Sequence, residues 1–281
     1  MYDCIILGTG VAGISAALTL KALKRNFLLV GSRELSAKVA SAEKIKNYPG
    51  LPSLSGKEFK AALSKQLEEE NIEVTEGRAT GIYDADGGFF VACGQDMYEG
   101  KTIILSTGVE TVKPIEGEKE LVGRGVSYCA TCDGFLYKGK TIAVVCAAKE
   151  EEHEVELLAK YASKVYLFAL YKNCSVEGEN IQKIVGIPKR IKGEGKVSAV
   201  EYQGGEIAVD GVFMLKDAAC DSLYPALKVE GGSVEVGRDM ATNVAGIFAA
   251  GDCTGRPYQY AKAAGEGNIA AHSVNAYLNK K

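Results

Sequence analysis

The chain has 281 residues, of which 47% are hydrophobic and 25% charged, the composition of an ordinary folded globular protein. A net charge of −3 and a pI near 5.7 argue against general binding to nucleic acid. No run of about 18 apolar residues occurs, so we expect no membrane-spanning helix. Because the sequence opens directly on an apolar strand, we also expect no signal peptide and a cytoplasmic location.

The first predicted strand, Cys4–Leu7, leads into a glycine-rich turn and then an Ala- and Leu-rich helix to about Lys24. The turn has the pattern G-x-G-x-x-G, and its position between a strand and a helix makes the pattern specific for a dinucleotide. The first glycine permits the tight turn, the second lets the backbone approach a pyrophosphate, and the third lets helix and strand pack closely. We therefore predict that a nucleotide contacts the residues of this turn, Gly8, Thr9, Gly10, Val11, Ala12 and Gly13.

Two later strands lead to the same predicted nucleotide. Strand Phe27–Val30 is followed by Glu34, which comes late for an acid that binds the ribose hydroxyls, so the ribose contact stays open. Strand 102–106 ends in Thr107 and Gly108, whose backbone we expect to approach the nucleotide. The elements predicted between these strands are a turn at 47–50, a helix at 55–71 and strands at 72–75 and 88–93.

Cys129 and Cys132 form a C-x-x-C pair, and the acid Asp133 follows it directly. Two thiols at this spacing can close a disulfide and so exchange two electrons with a neighbour. We expect Asp133 to transfer the proton as the sulfurs change charge, with a turn or cap role as the alternative. We expect no metal, because zinc would need a second ligand pair and the only histidines are His153 and His272. The other six cysteines occur singly and are interpreted as buried small hydrophobes.

A second strand–helix–strand unit is predicted over residues 140–170. Cys146, Ala148 and Glu151 stand where a dinucleotide fingerprint would have its small residues, and glutamates 150–152 occupy the first turn of the helix. Carboxylates there suit the helix dipole but repel a second anion. We interpret this unit as a nucleotide-type fold without its nucleotide.

The last part of the chain has the same chemistry as the first, with an apolar strand that ends in Gly251 and Asp252 and a helix at about 261–278. The predicted fold class is therefore α/β, with two Rossmann-like, doubly wound, three-layer domains of nucleotide-binding type, the second inserted into the first. The expected bounds are 1–109 and 224–281 for the split outer domain, and 110–223 for the inserted domain that carries the C-x-x-C.

These motifs in this order resemble the low-molecular-weight thioredoxin reductases over nearly the whole chain, most specifically in the string Cys-Ala-Thr-Cys-Asp-Gly at 129–134. The resemblance implies a homodimer with FAD in the split domain, a disulfide that the flavin reduces, and thioredoxin as the substrate of the dithiol. It also implies that Cys132 is the sulfur nearer the flavin and that Cys129 attacks thioredoxin. Beyond the glycine-rich turn, the FAD contacts expected from the resemblance are Lys38, Asn47, Thr107, Gly108, Gly251, Asp252, Gln259, Tyr260 and Ala261.

The sequence departs from the family where NADPH would bind. The family reads the 2′-phosphate with His-Arg-Arg after the second strand of the inserted domain, and Ala169-Leu170-Tyr171 stands there instead. The flavin-side Gly-Gly-Gln-Leu is replaced by residues 36–39, and the Arg that precedes Gln259 is replaced by Tyr258. We therefore expect that NADPH does not bind, and the departures match the ferredoxin-dependent flavin thioredoxin reductases of clostridia.

Reduced ferredoxin is then the expected electron donor, because a flavin accepts electrons singly and a disulfide requires two. The chain itself lacks a cysteine set for an iron–sulfur cluster. The basic residues of 183–196 are a candidate docking surface for an acidic ferredoxin, with a solvated face as the alternative.

Several alternatives stay open. Lys38 either places positive charge near the flavin or is a surface lysine, and Tyr258 or Tyr260 either stacks on the flavin or only packs. The enzyme could use another donor, such as a deazaflavin or a second flavin. The chain could also be an FAD-binding thiol redox sensor, although the intact C-x-x-C with its acid argues against a mere scaffold.

Overall fold

The computed structural model describes residues 1–40, 42–108, 114–128, 130–216 and 220–280, and the side chains of these residues apart from 37, 38, 132, 150 and 221. The chain divides into two compact units, one of Met1–Val109 with Ala219–Lys281 and the other of Glu110–Ala218. Among the described residues, no helix is long and apolar enough to cross a membrane.

The helices and strands follow one another along the chain. Up to residue 108 they are β1 (Cys4–Leu7), α1 (Val11–Ala22), β2 (Phe27–Gly31), α2 (Ala37–Ala40), α3 (Gly56–Glu69), β3 (Val74–Glu76), β4 (Ala79–Ala85), β5 (Gly88–Cys93), β6 (Asp96–Gly100) and β7 (Ile103–Leu105). The second unit has β8 (Val126–Ser127), α4 (Ala130–Asp133), β9 (Thr141–Cys146), α5 (Glu152–Tyr161), β10 (Lys164–Ala169), β11 (Ile181–Lys183), β12 (Pro188–Lys192), β13 (Ala199–Tyr202), β14 (Gly205–Ala208) and β15 (Gly211–Leu215). The first unit then continues with α6 (Cys220–Leu223), β16 (Val229–Glu230), β17 (Ser233–Val234), β18 (Ile247–Ala249) and α7 (Tyr260–Leu278). Short 3-10 turns lie at Gly134–Tyr137, Lys149–Glu151 and Asp252–Thr254.

The first unit is built on a five-stranded parallel sheet in the order β18-β7-β1-β2-β3. β1 is entirely buried and pairs with β2 on one side and with β7 on the other. The strand order reverses at β1, and in such sheets ligands bind in the crevice beyond the carboxyl ends of the strands at that point. A three-stranded antiparallel sheet, β4-β5-β6, and the hairpin β16-β17 complete the unit.

Helices α1 and α7 pack closely because small residues line their contact. A Cβ at Gly267 of α7 would lie 2.1 Å from the carbonyl oxygen of Ala12 in α1, so only glycine allows this approach. Ser15 Oγ also donates a hydrogen bond to the carbonyl of Ala264 at 2.7 Å. The contact holds the N-terminus of α1, and with it the glycine-rich turn, in place.

Helix α3 shows how a local signal sets a helix start. Ser55 is its N-cap, with its Oγ 3.3 Å from the backbone nitrogen of Glu58. The Ser55 backbone N–H donates to Glu58 Oε2 at 2.7 Å, which completes a capping box. The helix therefore starts within one residue of the predicted start at position 55.

The second unit contains another five-stranded parallel sheet, in the order β11-β10-β9-β15-β8, and a three-stranded antiparallel sheet, β12-β13-β14. β9 is its central strand, between β10 and β15, so the strand order reverses there as it does at β1. The predicted α/β fold class is confirmed.

Two features differ from the sequence reading. β4 and β6 were not predicted, although Asp86-Gly87, a recognised two-residue hairpin turn, joins β4 to β5. Helix α6 belongs to the first unit, whereas the predicted boundary assigned residues 220–223 to the inserted domain. Tyr224, just after α6, donates a hydrogen bond to Asp84 Oδ1 of β4 at 2.8 Å, and this contact links the segment to the first unit.

Candidate active site

The glycine-rich turn after β1 contains two glycines that the fold itself requires. Gly8 has φ of +120°, and a Cβ there would lie 2.3 Å from the carbonyl oxygen of Ser106. A Cβ at Gly13 would lie 1.9 Å from the carbonyl oxygen of Gly8. Both glycines therefore serve the close packing of the turn, α1 and β7.

At Gly10, in contrast, the described protein atoms do not require a glycine. Its φ of −78° is open to any residue, and a Cβ there would meet no described atom within 4 Å. Gly10 is the N-cap of α1, where backbone N–H groups and the helix dipole favour an anion, and the first turn has no acid. The space in front of Gly10 fits the pyrophosphate of a dinucleotide such as FAD.

Thr9, between these glycines, connects the turn to the end of β2. Its Oγ1 donates a hydrogen bond to the carbonyl of Ser32 at 3.0 Å. Glu34, the late acid after β2, has a side chain that is 90% exposed and pairs with Lys60 at 3.3 Å. Glu34 therefore has a partner of its own, and the ribose contact is not assigned to it.

The end of β7 lies against this turn, as predicted for Thr107 and Gly108. Ser106 Oγ donates to the carbonyl oxygens of Leu7 at 2.9 Å and Gly8 at 3.2 Å. Thr107 Oγ1 lies 3.2 Å from the sulfur of Cys220, and Gly108 has φ of +74°. The predicted second backbone segment is thus next to the first.

The loop with Gly251 and Asp252 also reaches this edge of the sheet. A Cβ at Gly251 would lie 2.8 Å from the Cβ of Ala12, which places the loop against the start of α1. Glu266 Oε2 accepts the Gly251 N–H at 2.9 Å, and Lys262 Nζ donates to the Gly251 carbonyl at 2.9 Å. Lys262 and Glu266, which the sequence analysis missed, fix the backbone on which Asp252 stands.

Predicted residues far apart in the sequence meet near the start of α7. Asn47 Nδ2 donates to Oε1 of Gln259, the N-cap of α7, at 2.6 Å, across 212 positions of sequence. Ala261 is exposed in the first turn of this helix. The side chain of Lys38, the other predicted flavin neighbour, lies outside the described residues.

Of the aromatic residues near α7, Tyr260 and Tyr48 pack against Phe59, and Tyr258 is partly exposed. Tyr260 packs edge-on against Phe59 at 5.6 Å between ring centroids, and Tyr48 contacts Phe59 at 5.1 Å. Burial, followed by the charge of Asp252, raises the pKa of Tyr260. Tyr258 is 43% exposed, with the Arg256 guanidinium 5.3 Å from its ring centre. Tyr260 therefore has packing partners within the protein, and its predicted contact with the flavin stays a prediction.

The redox motif lies at the carboxyl end of β8 in the second unit. Cys129 and the side chain of Cys132 lie outside the described residues, so their positions are not part of the geometry. Asp133 ends α4, and its Oδ2 accepts a hydrogen bond from Ser127 Oγ at 2.6 Å. Ser127, which the sequence analysis did not single out, therefore holds the predicted proton-transfer residue.

Two large apolar residues follow the motif and face solvent. Phe135 is 59% exposed and Leu136 is 53% exposed, both in the 3-10 turn after Asp133. The sequence predicted no role for these two residues. Apolar residues beside a redox motif are nevertheless a usable signal of a surface that binds another protein.

The other cysteines are mostly buried thiols, as the sequence predicts. Cys4, Cys93, Cys146, Cys220 and Cys253 are buried thiols, and Cys174 is half-buried. Burial raises the pKa of Cys4 to about 12 and that of Cys146 to about 11. Thiols of this kind stay protonated and unreactive near neutral pH.

Within the described part of the chain, no group of three His, Cys, Asp or Glu side chains could hold a metal ion.

Hydrogen bonds connect the segment after β9 in the second unit with the segment after β10. Oε1 of Glu152, in the first turn of α5, accepts hydrogen bonds from Tyr171 Oη at 2.8 Å and from the Ser175 backbone N–H at 2.9 Å. Ser175 Oγ donates to Glu152 Oε2. The Ser175 hydroxyl, the Ser175 N–H and Tyr171 together lower the pKa of Glu152 to about 2. The Glu152 carboxylate thus links the first turn of α5 to the segment after β10 and places a negative charge near the helix N-terminus, where the phosphate of a dinucleotide would bind.

The basic stretch of the second unit is partly neutralised by acids. Arg190 Nε lies 3.2 Å from Glu116 Oε1. Lys192 Nζ lies 2.7 Å from Glu206 and 3.0 Å from Glu201. These ion pairs reduce the positive charge that the stretch presents, and its role in docking stays a prediction.

Comparison with known proteins agrees with this arrangement. The family model described as pyridine nucleotide-disulphide oxidoreductase matches residues 2–149 and 158–267. Thioredoxin reductase of Bacillus subtilis (strain 168) is 30% identical over 302 residues, which cover 100% of this chain and 96% of that protein.

Two solved structures, each of a ferredoxin-flavin thioredoxin reductase from Clostridium acetobutylicum, are also similar. One is 44% identical with a TM-score of 0.94 and covers 99% of this chain and 98% of the other. The second is 39% identical with a TM-score of 0.90 and covers 100% and 99%. The chain therefore belongs to the pyridine nucleotide-disulphide oxidoreductase family, as a flavin disulfide reductase of the low-molecular-weight thioredoxin reductase type.

Proposed function

We propose that this protein takes electrons from reduced ferredoxin, passes them through FAD to the Cys129–Cys132 pair, and reduces thioredoxin. The observation that argues against NADPH as the donor is the Glu152 carboxylate, which lies in the first turn of α5 and is bound by Tyr171 and Ser175.

The second unit does not fit a pyridine nucleotide. Because its pKa is lowered to about 2, Glu152 is negatively charged at neutral pH. The charge of Glu152 would repel a dinucleotide phosphate at the same helix N-terminus. To bind there, the phosphate would also have to break the hydrogen bonds of Glu152 with Tyr171 and Ser175. The family's phosphate-binding cations are replaced by Ala169, Leu170 and Tyr171. NADPH therefore takes no part in the proposed electron transfer.

The first unit fits FAD, because the open space at Gly10 lies at a helix N-terminus with no acid in its first turn. FAD, when bound, supplies the conversion between one-electron and two-electron transfer that links an iron–sulfur carrier to a disulfide. The residues that would hold it are Gly8, Thr9, Gly10, Val11, Ala12, Gly13, Lys38, Asn47, Thr107, Gly108, Gly251, Asp252, Gln259, Tyr260 and Ala261.

The dithiol reduces thioredoxin by thiol–disulfide exchange. The Cys129 thiolate attacks one sulfur of the thioredoxin disulfide and releases the other as a thiolate. Cys132 then attacks the mixed disulfide, so the Cys129–Cys132 disulfide forms and two electrons leave with reduced thioredoxin. Asp133, held by Ser127, carries the protons that the sulfurs exchange. The exposed side chains of Phe135 and Leu136 offer an apolar contact for the incoming protein.

Ferredoxin is supported as the donor by the likeness to the two clostridial ferredoxin-flavin thioredoxin reductases, at 44% and 39% identity. The family likeness supports two further proposals, a homodimer and a cytoplasmic location. Light scattering of the purified protein tests the dimer, because a monomeric mass contradicts it.

The test of the donor is anaerobic stopped-flow spectroscopy of the flavin. NADPH, NADH and reduced ferredoxin are mixed separately with the oxidised protein, and oxidised thioredoxin is added afterwards. We expect rapid bleaching with ferredoxin alone and reoxidation by thioredoxin. Cys132→Ser is the control, since its flavin should bleach while thioredoxin stays oxidised.

Other outcomes separate the alternatives. Rapid bleaching by NADPH contradicts the proposal. Bleaching by a reduced deazaflavin or a second flavin, with no response to ferredoxin, favours a different donor. A flavin that ferredoxin bleaches but thioredoxin does not reoxidise favours a redox sensor.

A further inference from the structure

A lysine and a glutamate of α7 bind the loop that follows β18. Lys262 Nζ lies 2.9 Å from the carbonyl oxygens of Gly251 and Gly255. It also lies 3.0 Å from Thr254 Oγ1 and 3.0 Å from Glu266 Oε2. The side chains of Lys262 and Glu266 are only 17% and 16% exposed. Each N–H donor of the ammonium therefore has an acceptor within the protein.

Glu266 binds the same loop through its carboxylate. Its Oε2 accepts the Gly251 backbone N–H at 2.9 Å and lies 2.9 Å from Thr254 Oγ1. Gly251 and Gly255 have φ of +88° and +102°, a region that favours glycine, so the loop follows a path that few other residues allow. The two charged side chains together fix the backbone at both ends of the loop 251–255.

The helix itself does not account for Lys262. This lysine is the third residue of α7, and a cation is unfavourable in the first turn, where the helix dipole is positive. Lys262 and Glu266 are four residues apart, but the lysine comes first, which is the weaker order for such a pair. The position of Lys262 is therefore explained by the loop that it binds and not by the helix that carries it.

The loop lies among segments that are predicted to contact FAD. A Cβ at Gly251 would lie 2.8 Å from the Cβ of Ala12, in the first turn of α1. Cys253 Sγ lies 3.4 Å from the carbonyl oxygen of Leu105, the last residue of β7. Asp252, a predicted FAD contact, stands between Gly251 and Cys253 in the sequence. A shift of the loop would therefore move Asp252 relative to the glycine-rich turn.

We propose that Lys262 and Glu266 are positioning residues that hold Asp252 in place for FAD and so determine how tightly the flavin binds. The inference rests on the proposed function, because it requires FAD in the first unit with Asp252 as one of its contacts. Neither side chain needs to touch the flavin. A loop that is already fixed loses less conformational freedom on binding, and FAD therefore binds more tightly.

The substitutions separate the acceptor at position 266 from its charge. Lys262→Met removes the donor of two loop carbonyls, so the Kd of FAD should rise about tenfold. In Glu266→Ala the Gly251 N–H loses its acceptor, and the Kd should rise by a similar factor. Glu266→Gln keeps an oxygen that accepts this N–H, so its Kd should stay within about twofold of the wild-type value.

A double-mutant cycle tests whether the effect passes through Asp252. Asp252→Ala removes the carboxylate and should itself weaken FAD binding. If Lys262 acts by placing that carboxylate, adding Lys262→Met to Asp252→Ala should change the Kd little. A merely structural role of Lys262 predicts the same fold change in both backgrounds.

The experiment titrates FAD into the full-length apoprotein of each variant and follows flavin fluorescence. Circular dichroism of the same apoproteins shows whether each variant is folded. Lys101→Met is the matched control, because it breaks another partly buried lysine ion pair of the first unit, with Lys101 Nζ 2.8 Å from Asp3 Oδ1. This control should leave the Kd of FAD unchanged.

Weaker binding by Lys262→Met and Glu266→Ala, restored in Glu266→Gln and largely absent in the Asp252→Ala background, supports the proposal. A wild-type Kd for Lys262→Met, or the same fold change in both backgrounds, overturns it. If Lys262→Met does not fold, or Asp252→Ala binds too little FAD to titrate, the two Glu266 variants decide, and equal Kd values for them overturn the proposal. A wild-type apoprotein that binds no FAD removes the proposed function and the inference with it, whereas the other contrary results leave the proposed function standing.

Discussion

Two glycines, Gly10 near the start of the first unit and Gly267 near its end, allow ligand binding to be separated from packing. A Cβ at Gly10 would meet no described atom within 4 Å, whereas a Cβ at Gly267 would lie 2.1 Å from the carbonyl oxygen of Ala12. Gly10→Ala should therefore fold normally and lose affinity for FAD. Gly267→Ala should weaken the contact of α1 with α7 and lower the stability of the whole unit.

The expected magnitudes follow from the geometry. A methyl group inserted into a close contact destabilises that contact by about 1–3 kcal/mol. Because each 1.4 kcal/mol is tenfold, the Kd of FAD for Gly10→Ala should rise about 5- to 150-fold. For Gly267→Ala, the same loss of about 1–3 kcal/mol lowers the free energy of unfolding. At about 2–4 °C per kcal/mol, the Tm of the apoprotein should drop by several degrees.

The assay compares the two variants in the same two measurements. FAD binding is titrated by flavin fluorescence with apoprotein, and the Tm of the apoprotein is measured by circular dichroism. The reasoning is refuted if Gly10→Ala binds FAD as tightly as the wild type, or if its apoprotein melts as early as that of Gly267→Ala.

Four further predictions concern the second unit. Hydrogen bonds lower the pKa of Glu152 to about 2 in the folded protein, against 4.5 for the unfolded chain. The charged carboxylate therefore stabilises the fold above pH 4.5, and this stabilisation is lost as the pH falls towards 2. The Tm difference between wild type and Glu152→Gln should therefore be positive at pH 7 and shrink below pH 4.5, and a constant difference contradicts the contact. Asp133→Asn should slow thioredoxin reduction by about 10²- to 10⁴-fold in kcat while ferredoxin still bleaches the flavin at the wild-type rate; equal slowing of both steps argues against a proton-transfer role. Phe135→Ser should raise the KM for thioredoxin and leave kcat nearly unchanged, and an unaltered KM removes this side chain from the docking surface. Arg190→Glu and Lys196→Glu should lower the ferredoxin-linked rate steeply at low salt, whereas unchanged rates would show that ferredoxin docks elsewhere.

Much of the first unit could be predicted because its signals are local. A glycine-rich turn between an apolar strand and a helix is recognisable within ten residues. The motif also predicted different roles for two of its glycines, close packing for Gly13 and approach to a pyrophosphate for Gly10. The packing role agrees with the fold, since a Cβ at Gly13 would lie 1.9 Å from the carbonyl oxygen of Gly8, and the role of Gly10 stays a prediction.

The sequence likewise predicted that the second unit binds no nucleotide, through the glutamates at 150–152 and the missing cations at 169–171, and this stays a prediction. Which glutamate matters was not predictable. Glu152 reaches Tyr171 and Ser175, which are 19 and 23 positions away, because β9 and β10 are adjacent and bring the two turns together.

The sequence by itself thus determined the α/β class, the place of the redox motif in the chain and the replacement of the family's phosphate-binding residues in the second unit, since each is encoded in short runs of residue types. The tertiary structure alone decided the long-range pairs. Asn47 meets Gln259 across 212 positions, and Glu118 meets Lys216 across 98. Such pairs leave no local pattern, because they form only when folding brings together segments that are far apart in the chain.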